Sequence, residues 1–123
     1  MKKLYETDHD FEARVTILTE KDGGKRTVSF NGIRWSFVYA EDDPRTESYM
    51  IFPDFHDDEG NSLPEDVPLK GTLNARMHVL FQESIDQVHG DRIAKGVEFY
   101  CTEGNRRVAK GVVTKLRGIL AHE

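Results

Sequence analysis

From Phe11 to Trp35 the chain reads FEARVTILTEKDGGKRTVSFNGIRW, and its apolar side chains recur at every second position. Phe11, Ala13, Val15 and Ile17 fall on one face of an extended chain, with Glu12, Arg14 and Thr16 on the other. The pattern returns at Ile33, Trp35, Phe37 and Tyr39, at Leu73, Ala75, Met77, Val79 and Phe81, and at Val97, Phe99 and Cys101. An apolar-rich run over Val108 to Leu116 and shorter runs at Thr27–Phe30 and Tyr49–Phe52 complete the set. No window of ten or more residues follows a helical period. Asp22-Gly23-Gly24, Asn31-Gly32 and Glu103-Gly104-Asn105 supply residues that tolerate positive φ, as tight strand connections require. The chain is expected to be all-β, a sandwich or a barrel. At 123 residues a barrel is the economical way to remove exposed strand edges. Trp35 is expected inside it.

A chain of this length buries roughly two-thirds of the surface it exposes when unfolded. Hydrophobic residues make up only 37% of it, but 10% of all residues are aromatic, which brings a large buried area per side chain. One domain is expected: a polar lead-in over residues 1–10, then the barrel over 11–118. The single cysteine, Cys101, has no partner for an internal disulfide, and no stretch is apolar over the length of a bilayer. The expectation is a soluble cytoplasmic protein, with no membrane partner.

Pro53 to Pro68, PDFHDDEGNSLPEDVP, breaks the alternation and is read as one long acidic loop. Asp54, Phe55, His56, Asp57 and Asp58 are its candidate partner-binding residues. A calcium loop is not expected, because numbering from Asp54 puts the glycine in the seventh place instead of the sixth. His9, His56, His78, His89 and His122 show no metal-ligand spacing, and His78 is expected to face solvent. Cys101 sits on an alternating strand as a small core residue would. With no GxSxG and no GxxxxGK[ST], neither a nucleophile elbow nor a phosphate-cradling loop is present. No catalysis, metal or cofactor is expected.

Charge is uneven. Residues 1–68 carry eight basic against sixteen acidic side chains; residues 69–123 carry nine against six. The acidic half disfavours a broad phosphate-backbone contact, which runs on cationic charge. The basic run from Gly104 to Gly118 is divided by strand parity: Arg106 and Lys110 on one face, Arg107, Lys115 and Arg117 on the other. Its tip, Asn105-Arg106-Arg107, is the candidate functional part.

Two segments together resemble the third, C-terminal domain of elongation factor Tu. That family carries FEAEVYxLxxxEGGRHTPFFxGYRPQFYF, and this chain matches it at Phe11-Glu12-Ala13, Gly23-Gly24, Thr27, Phe30, Gly32, Arg34 and Phe37. Near its end the family carries RxxxREGGRTVGAGVVTK, matched at Glu103-Gly104, Arg106, Val108 and Gly111 to Lys115. The resemblance implies a six-stranded antiparallel closed barrel that does no chemistry and acts by binding. It also implies contacts with the T-stem backbone of tRNA, carried by Arg34 and Gly104. Where the family has an Arg-Thr-Thr-Asp run, this chain has Ala40-Glu41-Asp42-Asp43, which repels phosphate. The first expectation is therefore a non-catalytic module that binds a protein partner as a translation-factor mimic or accessory. The alternative is a small tRNA- or RNA-binding accessory protein using Lys25, Arg26, Arg34, Gly104, Arg106 and Arg107.

Overall fold

Alternation becomes strand in the computed structural model, which describes residues 2–24, 27–42, 49–80 and 92–117. Six strands form: β1 (Phe11–Ile17), β2 (Trp35–Tyr39), β3 (Tyr49–His56), β4 (Thr72–Val79), β5 (Glu98–Glu103) and β6 (Arg106–Leu116). They pair antiparallel in the order β1-β4-β3-β2-β5-β6, and β6 returns to β1, so the barrel is closed. Closure gives the terminal strands partners on both sides and leaves no sheet edge unpaired. Among the described residues no helix is long and apolar enough to cross a membrane.

The inward faces fill the barrel with side chains. Phe37 stacks on Phe99 with ring centroids 4.6 Å apart and meets Tyr39 and Phe11 edge-on at 4.8 and 5.9 Å. Trp35 is buried, lies edge-on to Phe55 at 6.0 Å, and donates its indole N–H to Glu103 Oε2 at 2.9 Å. That bond satisfies the polar edge of an otherwise apolar ring and ties the start of β2 to the end of β5.

β6 is longer than either neighbour, pairing with β5 over residues 106–112 and with β1 over 109–116, and it carries two extra residues. Cys101 and Thr102 of β5 pair with Ala109 and Arg107, bypassing Val108; Glu12 and Ala13 of β1 pair with Lys115 and Val113, bypassing Thr114. Each extra residue changes the parity of the strand. The sequence reading, which put Arg107 and Lys110 on opposite faces, is corrected here. The guanidinium of Arg107 lies 4.1 Å over the ring of Tyr100, and Tyr100 is the cross-strand partner of Lys110. Arg107, Lys110 and Lys115 are all exposed on the outer wall.

Two other expectations change. Thr27–Phe30 contributes a single bridge, Phe30 to Pro68, and no strand. β3 does not stop at Phe52 but runs through Pro53 to His56, so the loop begins four residues later than the proline suggested. Proline is tolerated in a strand where its missing N–H is not needed by the ladder, and Pro53 sits opposite Met77 with its ring buried.

Gly111 of β6 lies over the aromatic core. A Cβ there would fall under 3.0 Å from three ring carbons of Phe99. Gly111→Ala is expected to lower stability by roughly 1–3 kcal/mol through overpacking. Adding Phe99→Leu should recover part of that loss in denaturant titrations. Equal stability of wild type and the single variant would contradict this packing.

Candidate functional site

The segment Lys2–Asp10 is not a loose lead-in. It lies as a strap across the outer wall of β3 and β4. Lys2 N donates to Asn61 Oδ1 at 2.8 Å, Ser62 N donates to Lys2 O at 2.9 Å, and Leu4 N donates to Asp54 Oδ2 at 3.3 Å. Farther on, Asp10 N donates to Met77 O and Val79 N donates to Asp10 Oδ2, each at 2.8 Å.

Under the strap, outward-facing side chains are buried. Asp54 and Arg76 are direct cross-strand partners. Arg76 reaches Asp54 Oδ2 through Nε at 3.2 Å and Nη2 at 3.1 Å, while Ser62 donates its hydroxyl to Asp54 Oδ1 at 2.7 Å. Nη1 of Arg76 donates to Gly60 O at 2.7 Å. Buried charges persist only when paired and hydrogen-bonded, and both ends of this pair are.

This arrangement divides the acidic-loop candidates. Asp54 and Phe55 belong to β3 and are buried, Asp54 in the ion pair and Phe55 in the core. Neither is available to a partner, a correction to the expected loop. His56 is half-buried, with Nδ1 2.8 Å from Asp57 O. Asp57 Oδ1 accepts the N–H groups of Glu59 and Asn61, each at 2.9 Å, so Asp57 holds a tight turn together. Of the five, Asp57 and Asp58 are exposed.

Sequence reasoning also missed Asn31, taken only as a turn residue. Gly32 alone supplies the positive φ, at 94°, and Asn31 is buried. The Asn31 amide donates to Phe55 O and Leu63 O at 2.9 and 3.0 Å, and its carbonyl accepts the Phe55 N–H at 2.9 Å. One side chain thus stands in for a missing length of strand. Its Asn-Gly context reads as a hairpin and gives no signal of that role.

The basic candidates gather at one end of the barrel. Ser36 pairs with Thr102, which together with the Trp35–Glu103 bond sets exposed Arg34 beside the Gly104 turn. Arg106 Nη1 donates to Gly24 O at 3.1 Å, drawing the Gly23-Gly24 turn to the same end. Lys25 and Arg26 lie outside the described residues. The acids expected to repel phosphate are themselves engaged: Arg92 grips Asp42 at 2.8 and 3.2 Å, contacts Glu41 at 3.1 Å, and lies 3.9 Å over the ring of Tyr39. Asp43 lies outside the described residues.

A further surface was not anticipated. Val28 is 55% exposed, Phe30 38% and Val67 49%, and the Phe30–Pro68 bridge with a 2.8 Å bond from Leu69 N to Ser29 O lays their two segments alongside each other. Exposed Glu65 and Asp66 immediately precede Val67. Exposed apolar side chains therefore stand on two adjacent segments, with acidic residues next to one of them.

Cys101 and His78 are both buried. Cys101 is fully buried, and burial pushes its thiol pKa up, which keeps it protonated. His78, expected at the surface, is only 8% exposed beneath the strap, with the Tyr5 ring edge-on at 4.9 Å. Burial, with smaller contributions from His9, Arg76 and Lys3 against an opposing one from Asp54, lowers its pKa to about 4. Among the described residues no group of three or more His, Cys, Asp or Glu side chains could hold a metal ion. No protein-family model matches the chain.

Two outcomes follow. The unfolded chain binds a proton at His78 that the folded state refuses, so this histidine's stabilisation is complete above pH 6.5 and is lost as pH falls toward 4. The loss is expected to be about 2 kcal/mol after solvent screening at the ring edge. Burial raises the carboxyl pKa of Asp10, which opposes this only within the carboxylate range. His78→Phe should flatten denaturant stability between pH 6.5 and 4; an unchanged slope would refute the assignment. Arg76→Met alone should cost roughly 3–5 kcal/mol by stranding Asp54, and Asp54→Leu added to it should restore most of that. Additive losses in the pair would show that the two charges do not depend on each other.

Proposed function

We propose that this chain is a non-catalytic binding module whose recognition surface is the Val28–Phe30–Val67 patch, and that its ligand is a protein. The observation that carries this reading is the exposure of three large apolar side chains on two paired segments, on a barrel whose interior is already filled by its own residues. Contiguous apolar surface on a small domain marks an interaction site more often than scattered exposure does. Glu65 and Asp66 beside it suit a partner with an apolar centre and a basic margin. The resemblance to the third domain of elongation factor Tu supports the same class of function, a translation-factor mimic or accessory of the cytoplasm that binds without chemistry.

A second reading, an RNA-binding accessory, draws on the parity change in β6. With Arg107, Lys110 and Lys115 on one outer wall, a cationic strip exists that a regular strand would not have made. It predicts salt-sensitive tRNA retention that Lys110→Glu reduces.

The deciding experiment uses wild type and the doubly substituted Val28→Asp/Val67→Asp protein as baits in parallel. A protein captured by wild type is purified and its affinity for both baits measured. Loss of two apolar anchors is expected to weaken binding by about a hundredfold while the melting temperature holds. Equal affinity for the two baits, or capture of nucleic acid alone, would overturn the first reading.

A further inference from the structure

Three outward side chains lie in one line across the wall made by β1, β6 and β5. Arg14 is the cross-strand partner of Val112, and Val112 is that of Glu98. All three are exposed, Val112 at 41%. Arg14 donates through Nη1 to Asn74 Oδ1 at 3.1 Å, toward β4 and away from Glu98. Glu98 forms no ion pair with any described residue, and neither does Lys110, its diagonal neighbour on β6. A hollow of about 540 Å³ opens over this line, bordered also by Lys110 and Tyr100. The charges of this face are thus left unmatched within the described chain.

The order cation, apolar, anion has a property that a patch of one sign lacks: it is complementary to itself. A two-fold axis that lies over Val112 and runs roughly along β6 turns Val112 toward its own counterpart. The same rotation carries Arg14 of one copy to the place opposite Glu98 of the other, and the reverse. Three residues then yield two ion pairs around one apolar contact, which is the form of an isologous interface. Sheet faces pack with their strands crossing at about 30°. A crossing in the sense that moves Lys110 off the axis sets its ammonium toward the other copy's Tyr100 ring, so like charges do not meet. The hollow gives the long side chains of the facing copy room to enter, with Glu98 and Tyr100 on its lining.

We propose that this wall docks a second copy of the chain, with Arg14–Glu98 pairs on both sides of a Val112–Val112 contact. One exposed aliphatic side chain per copy and two solvent-bordered ion pairs make the association weak. The wall shares no residue with Val28, Phe30 and Val67 and does not depend on them.

The test is sedimentation velocity of the full chain from about 10 µM to about 1 mM. Wild type is expected to pass from monomer toward dimer over this range. Arg14→Glu sets carboxylate against carboxylate, and Glu98→Arg sets cation against cation. Each alone should dimerise at least about tenfold more weakly, while melting as wild type does because both positions are exposed. Mixed in equal amounts, the two variants should form a heterodimer, since each supplies the charge that the other lacks. The double variant Arg14→Glu/Glu98→Arg should regain self-association. Val28→Asp/Val67→Asp should dimerise as wild type does, which separates this interface from the protein-docking reading. A wild type that stays monomeric, single variants that associate fully, or a mixture that stays monomeric would each overturn the proposal. So would a dimer lost only in Val28→Asp/Val67→Asp.

Discussion

The last strand must pair on both sides at once, and most of the molecule's character follows from that demand. β6 has β5 along one edge and β1 along the other, and only this double pairing turns six strands into a cylinder. A strand that bends enough to meet two neighbours accommodates extra residues, and β6 does so at Val108 and Thr114. Gly111 lies between the two bulges, where the absence of a side chain lets the Phe99 ring come against the backbone. Closure, curvature and the aromatic core are therefore one constraint. The exterior inherits it, because the same bulges gather the basic side chains of β6 onto the outer wall.

A second layer is added from outside the barrel. The strap pins itself to residues some fifty to seventy positions away, through Asn61, Asp54, Met77 and Val79. It converts an exposed face of β3 and β4 into a buried one. Asp54, Arg76 and His78 point away from the core, yet each is covered. Covering polar side chains is costly unless they find partners. The ion pair does so fully, so the covered face contains a rigid tie.

The proposed recognition surface rests on apolar area. The Val28–Val67 patch offers apolar area, which supplies affinity without direction. A partner that presents an apolar centre with basic residues around it would suit these side chains and the neighbouring Glu65 and Asp66.

Much of the fold was legible because alternation is a local property. Phe11, Ala13 and Val15, or Trp35, Phe37 and Tyr39, announce a buried face by spacing alone, since a strand has no other way to place every second residue inside. The functional surface was less legible. Arg107 and Lys110 were misassigned because one extra residue, invisible in composition, reverses parity. Asp54 read as part of an acidic loop and His78 as solvent-facing from its own strand, and only a distant segment folded over them makes them interior. Asn31 looks like half of a hairpin turn until its amide is seen completing the ladder at Phe55. The sequence by itself determined an all-β chain, its turns and its inward residues, because those depend on neighbours along the backbone. Tertiary structure alone decided which outward residues are covered, paired or left open, because that depends on which distant segments come to lie against them.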